Sequence, residues 1–242
     1  MRAGTTGRVL RDARGVCFRF DAGAVCLDFA HTGGEGRYAV FETLHEPADL
    51  GEWLAQPPLA AVLTVPPTTQ ELAAAKVLRQ AIWDAAHARA ASRPLPAEAV
   101  AAINRAAAAP PLTPELASSS AAVAPLTPGP AGVSAAAPPL APGPAGVSAA
   151  APPLAPGPAG VSLAAGWAAP VRVTQALSTL AREMIELLSG PFSGRIRECA
   201  SGDCPLVFVD TSRPGARRWC AMERCGNRHK LRALRARRAT DP

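Results

Sequence analysis

Residues 199–225 read CASGDCPLVFVDTSRPGARRWCAMERC and set four cysteines, Cys199, Cys204, Cys220 and Cys225, in the spacing C-x4-C-x15-C-x4-C. Two short cysteine pairs separated by a hairpin-length insert give the topology of a structural zinc site. The commonest short pair has two intervening residues, and four is still few enough to bring both thiolates to one ion. Four thiolates around Zn2+ at about 2.3 Å leave no open coordination position, so such a site builds structure and holds no catalytic water. Metal binding of this kind is worth roughly 10–16 kcal/mol in small zinc modules, more than so short a segment gains from its own core. Arg197, Arg217, Arg218 and Arg224 lie close in sequence to the ligands and offset the formal −2 of the metal–thiolate cluster. Between the pairs, Leu206, Phe208 and Asp210 alternate with Val207, Val209 and Thr211, which predicts a strand. Arg213-Pro214-Gly215 is a turn signal, and Arg217 to Trp219 is expected to return as the second strand, with Phe208 and Trp219 covering the metal.

Downstream, GNRHKLRALRARRA at 226–239 contains no breaker after its glycine and predicts a helix. At 100° per residue, Arg228, Arg232 and Arg235 share an arc of about 60°. Leu231 and Leu234 lie beside that arc and are expected to pack back on the hairpin. Lys230 and Arg237 occupy another side, and His229 reads as a surface residue. The charge follows the same division. Residues 213–242 hold ten Arg/Lys against two acidic side chains, a net of +8, whereas the preceding 212 residues carry a net of −2. A cationic block growing out of a metal site points to an anionic partner. Double-stranded DNA comes first, with RNA or an acidic protein as alternatives. The candidate contacts are Arg228, Lys230, Arg232, Arg235, Arg237 and Arg238. No run of about 18 apolar residues exists, so no membrane span is expected. The arginine-bearing N-terminus lacks the apolar run of a signal peptide, which places the chain in the cytoplasm with reduced thiols.

Upstream of the finger the pattern is mainly helical. Pro47 opens a helix from Ala48. Thr68-x-x-Glu71 is a capping box for a helix ending near Ser92, with Leu72, Ala75, Arg79, Ile82 and Ala86 on one face. A further helix spans 97–108, with Val100, Ile103 and Ala107 inward. The last, from Gln175 to Ser189, is capped by Thr174 and carries the clearest 3.6-residue apolar period in the chain. The exception is CFRFDAGAVCLDFAH at 17–31, which reads as a strand and a turn at Gly23, leading to a second strand or a helix. Cys17 and Cys26 are expected to be buried thiols. Asp28, His31 and Thr32 read as a ligand contact or, more simply, as a capped turn beside a core strand. Residues 125–166 repeat the unit PLAPGPAGVSAAAP with a period of fourteen and no charge, which predicts an extended, disordered tract. The expected division is therefore 1–124, the tract 125–166, a closing helix within 167–194, and the finger 195–242.

The run FVDTSRPGARRWCAMERCGNRHK looks like the CGNR zinc finger, named for the residues that stand here at Cys225, Gly226, Asn227 and Arg228. The N-terminal part resembles the ABATE domain, a family ascribed to stress-induced transcription regulation. That resemblance rests on AGAVCLDFAHT at 22–32, DLGEWL at 49–54, LRQAI at 78–82 and the helix before the finger. The family pattern commonly has Asn where this chain has His31. The resemblance implies Zn2+ at the four cysteines and DNA binding by the finger. The expected fold is a mainly α N-terminal domain with a short β segment (α+β), followed by a small treble-clef-like zinc finger of a β-hairpin plus a helix. The expected function is zinc-dependent DNA-binding transcription regulation, with the N-terminal domain sensing or dimerising the chain. An RNA-binding or protein-interaction zinc module is the alternative. The sequence contains no phosphate loop, nucleophile motif or catalytic metal spacing, so no enzyme activity is expected.

Overall fold

In the computed structural model, Thr68 opens the longest helix, α3 (Thr69–Ala90). Its hydroxyl accepts from the Glu71 amide at 3.2 Å and the Glu71 carboxylate accepts from the Thr68 amide at 2.8 Å, so two of the orphan donors at the helix start are satisfied reciprocally. The structure describes residues 7–11, 15–119 and 162–240. The other helices are α1 (Val25–Ala30), α2 (Pro47–Ala55), α4 (Ala97–Ala107), α5 (Val173–Ser189) and α6 (Asn227–Thr240). Short strands pair two by two: β1 (Arg8–Arg11) with β2 (Cys17–Phe20), and β5 (Ile196–Glu198) with β6 (Val207–Val209), both antiparallel. Strand β3 (Pro114–Ser119) pairs with β4 (Ser162–Trp167), and of these the described residues 115–119 and 162–166 belong to a separate unit. The expected disordered tract lies outside the described residues over 125–161, and its last residues, 162–166, belong to β4.

α3 packs on α4 and α5, and α1 sits against α3 and α5. The predicted face of α3 is buried throughout, at Leu72, Ala75, Arg79, Ile82 and Ala86. The helix stops two residues before the expected end because Ser92 turns left-handed, with φ of 54°, and the Arg93 amide returns to the Ala88 carbonyl at 2.8 Å. In α4 the inward residues are Ala99, Ile103 and Ala107, while Val100 is half-buried. α5 begins at Val173, earlier than expected. The Gln175 side chain reaches back to the Arg172 amide at 2.9 Å, so Arg172 rather than Thr174 is the capping position.

The stretch 17–31 runs from strand into helix. α1 has no side-chain cap of its own. Glu183 of α5 accepts from the Val25 and Cys26 amides at 3.2 and 2.6 Å, a carboxylate at a helix N-terminus supplied by a distant element. Cys26 is buried against Met184, but Cys17, expected to be buried, is exposed. It falls on the outward side of β2, whose alternation buries Phe18 and Phe20 instead.

Arg79 is the charged member of the α3 face, only 5% exposed. Its guanidinium donates to both Glu42 oxygens, at 2.8 and 2.7 Å. Burial alone would raise the Glu42 carboxyl, but these hydrogen bonds and the Leu44 amide outweigh it and hold the group below its ordinary value. Glu42 in turn fills the space beside Gly33, where φ is 149° and a Cβ would come within 2.7 Å of the Glu42 Cα. Removing one partner of a mostly buried ion pair strands the other. Arg79→Ala is therefore expected to lower the unfolding free energy at neutral pH by about 3 kcal/mol, as read from urea midpoints. Arg79→Met with Glu42→Gln should recover most of that loss. Because the Glu42 carboxyl is depressed, the contribution of the pair should fade as pH falls through the acid range.

Candidate metal centre and basic helix

The first pair of cysteines sits in the β5–β6 connection. The Cys199 amide donates to the Leu206 carbonyl at 2.9 Å and the Cys204 amide to the Ser201 carbonyl at 2.8 Å, which folds residues 199–204 into a tight knuckle. The second pair brackets a wide turn, 222–226, in which the Gly226 amide reaches the Ala221 carbonyl five residues back at 3.2 Å. All four sulfurs lie within 4.8 Å of one another and all four residues are buried. Cys204 and Cys220 Sγ are 3.7 Å apart and Cys220 and Cys225 Sγ 3.5 Å. A tetrahedral Zn–S site with bonds of about 2.3 Å requires S···S separations of about 3.8 Å, so the donor set fits one Zn2+ with shifts of no more than about 1 Å.

Cations and amides surround the sulfurs. Arg224 Nη1 donates to Cys204 Sγ at 3.2 Å, Arg228 Nη2 to Cys225 Sγ at 3.2 Å, and the Cys220 amide to Cys199 Sγ at 3.4 Å. The Cys225 thiol is held far below its ordinary value. Hydrogen bonds from the Cys199, Cys204 and Cys220 thiols lower it most, and the Arg228 guanidinium lowers it further against the effect of burial. Four thiolates this close require a cation among them. The chain thus supplies a closed four-sulfur clamp that would hold the metal as a structural centre, with nowhere for a substrate to bind it.

The hairpin differs from expectation. β6 pairs with β5, which precedes the first cysteine, and Arg217–Trp219 forms no strand. Asp210 is the cause. Fully buried, its carboxylate accepts from the Ser212 amide, the Ser212 hydroxyl and the Arg217 amide at 3.0, 2.6 and 2.9 Å. A side chain therefore takes the backbone donor that a ladder would have used. Phe208 is buried beneath the Arg217 guanidinium, 4.1 Å from the ring centre, and Trp219 lies against His229 at 4.7 Å.

The finger is stitched to the N-terminal domain. The Val209 amide donates to the Ala22 carbonyl at 2.8 Å, Arg217 Nη2 donates to the Asp21 carbonyl at 2.9 Å, and Arg224 lies over the Phe18 ring at 4.5 Å. His31 Nε2 meets the Val207 carbonyl at 2.7 Å, and His87 pairs with Glu198 at 2.7 Å. Asp28, His31 and Thr32 are all buried, on one face around α1. Thr32 donates its hydroxyl to the Phe29 carbonyl at 2.8 Å, the capped-turn arrangement.

α6 starts two residues after Cys225. Arg228, expected in the outward row, is half-buried. It joins Cys225 to Asp203, whose carboxylate it meets at 3.0 Å. Arg232 touches the same carboxylate at 3.5 Å but remains 63% exposed. Lys230, Arg235, Arg237 and Arg238 are exposed. Leu231 and Leu234, expected to pack on the hairpin, are 53% and 40% exposed. The helix leaves the clamp outward, and the hairpin face they would cover is taken by the N-terminal domain.

Elemental analysis of the purified protein is expected to find one zinc per chain. Stripping it with a chelator should make four further thiols react with a thiol reagent and lower the melting temperature, both restored by zinc and not by magnesium. Cys220→Ser should lose the metal, whereas Cys17→Ser should keep it and its stability.

Two family models match the chain. The CGNR zinc finger covers residues 195–238, and ABATE, described as "Putative stress-induced transcription regulator", covers residues 23–191, more than half of the chain. No curated protein matches it. The first match coincides with the clamp and α6, and explains the fingerprint physically. Cys225 is a metal donor. A Cβ on Gly226 would come within 2.6 Å of the Met222 sulfur and displace that side chain, Asn227 starts α6, and Arg228 holds the Cys225 sulfur. Among the described residues no helix is long and apolar enough to cross a membrane. The chain belongs to the ABATE family and carries a CGNR zinc finger after its ABATE domain.

Proposed function

We propose that the chain is a zinc-dependent regulator that binds duplex DNA through α6, with the N-terminal domain serving to sense a signal or to dimerise. One observation carries this reading: five cations, Lys230, Arg232, Arg235, Arg237 and Arg238, are exposed on a helix whose first turn is anchored to the zinc clamp by Arg228. A helix of 14 residues is about 21 Å long and enters a major groove about 12 Å wide. Guanidinium groups bind phosphate or guanine as bidentate donors, and Leu231 and Leu234 beside them offer apolar contact to thymine methyl groups. The metal supports this role by fixing the direction of a helix that has little apolar surface of its own.

Neutralising about five phosphates gives a log–log salt dependence of affinity with a slope near −4.5. The full-length, zinc-loaded protein should show that slope on duplex DNA, and Arg235→Ala or Arg238→Ala should each reduce its magnitude by about 0.9. Arg228→Ala should act differently, weakening metal retention as well as binding. Absence of salt-dependent duplex binding would overturn the reading, as would displacement of the duplex by structured RNA or an acidic protein at physiological salt.

A further inference from the structure

The zinc clamp and α6 leave one constellation unused, beneath β1 and beside α2. A cleft of about 520 Å³ is lined there by Arg8, Asp28, His31, Thr32, Glu52 and Trp53, among others. Asp28 is 2% exposed, and both of its carboxylate oxygens are buried without a hydrogen-bond partner. Buried carboxylates are ordinarily paired or fully hydrogen-bonded. Burial pushes this one up to about 8 although Arg8 draws it down; Asp21 adds to the rise, and the Ala22 amide, outside hydrogen-bond geometry, counteracts it weakly. A second acceptor stands beside it. His31 Nε2 meets the Val207 carbonyl, which can only accept, so Nε2 carries the proton and Nδ1 is a bare lone pair, buried and without a partner. Both residues line the same cleft.

We propose that this cleft binds a small organic ammonium ion, whose N–H groups donate to the Asp28 carboxylate and to His31 Nδ1. Asp28, Asp49 and Glu52 line the cleft against Arg8 alone, and an ammonium ion entering beside Asp28 would favour its ionised form. Arg8 donates its Nη1 to Gln56 at 3.0 Å and stacks over the Trp53 ring at 4.2 Å, while its Nε and Nη2 are buried without a partner, so the butyrate control below tests the competing anionic ligand directly. A metal ion fits less well. Among the described residues, only the four cysteines bring three or more metal-donor residues together, so an ion here would have two protein ligands. The volume suits a small molecule, and Trp53 supplies an apolar wall for its carbon skeleton. The site rests on the sensing role proposed above for the N-terminal domain, and its occupation needs no DNA contact. It lies one imidazole away from the finger, since the same His31 holds β6 through Val207.

The test uses the full-length, zinc-loaded protein without DNA, so that a failure of DNA binding leaves its result intact. n-Butylamine and 1,4-diaminobutane serve as probes, with n-butanol and butyrate as neutral and anionic controls of matched size, followed by calorimetry and melting temperature at constant ionic strength. Saturable binding of an amine, with a rise in melting temperature that butanol does not reproduce, is expected. Asp28→Asn should weaken amine binding at least tenfold. Arg8→Gln, on the outer strand, should tighten it by removing the competing cation, and so keeps the test decisive if Asp28→Asn fails to fold. No saturable amine binding, preference for butyrate, equal affinity in Asp28→Asn, or a second metal per chain lost in that variant would each overturn the assignment.

Discussion

Four sulfurs drawn to one point set the geometry of the last fifth of this chain. The β5–β6 ladder is three residues long on each side, and the turn before α6 is wound too wide to sustain itself. Neither element would persist alone. Joining 199–204 and 220–225 at a common ion closes both at once and fixes the exit direction of α6. The arginines nearest the clamp belong to its energetics. Arg224 and Arg228 donate to sulfur, so the charge that four thiolates place on one metal is spread into the surrounding guanidinium groups before it reaches solvent.

The clamp also shapes the N-terminal domain. β6 is buried on every residue, and what buries it is the segment 18–31 and α3 rather than a core internal to the finger. Val207 and Val209 both exchange backbone hydrogen bonds with the N-terminal domain, through His31 and Ala22. A finger whose hairpin is shared in this way cannot swing as a tethered bead. Two hydrogen bonds and the metal knot thus connect the α1 region to the base of α6.

How much of this was legible from sequence follows from the range of the interactions. The capping box at Thr68, the apolar faces of α3 and α5, and the paired cysteines are local patterns, and each emerged where the residues placed it. The larger departures were decided by distant partners. Alternation in 206–211 correctly signalled a strand but could not reveal that Asp210 would claim the Arg217 amide and leave β5 as the pairing edge. α1 is capped by a carboxylate 157 positions away in sequence, so no N-cap residue announced it. Leu231 and Leu234 were assigned inward because helical periodicity places them beside one another, but periodicity identifies a face and not what covers it. Asp28 and His31 were visible as residues, yet the unpartnered Asp28 oxygens and His31 Nδ1 are a property of burial that spacing cannot express.

The same distinction governs the basic helix. A count of arginines treats each charge as equally available, whereas the geometry divides them by what they already hold. Arg228 is committed to sulfur and to Asp203, and Arg232 is drawn toward the same carboxylate while staying mostly in solvent. Arg235, Arg237 and Arg238 stand further along the helix and are exposed. Charge density for a polyanion therefore rises toward the C-terminal end of α6, while rigidity falls in the same direction, away from the metal. A partner that bound mainly through the distal arginines would gain electrostatic attraction with little orientation, and one that reached Arg232 would displace Asp203 and meet the clamp itself. Orientation on a polyanion must then come from the first two turns of the helix, and affinity from the last two.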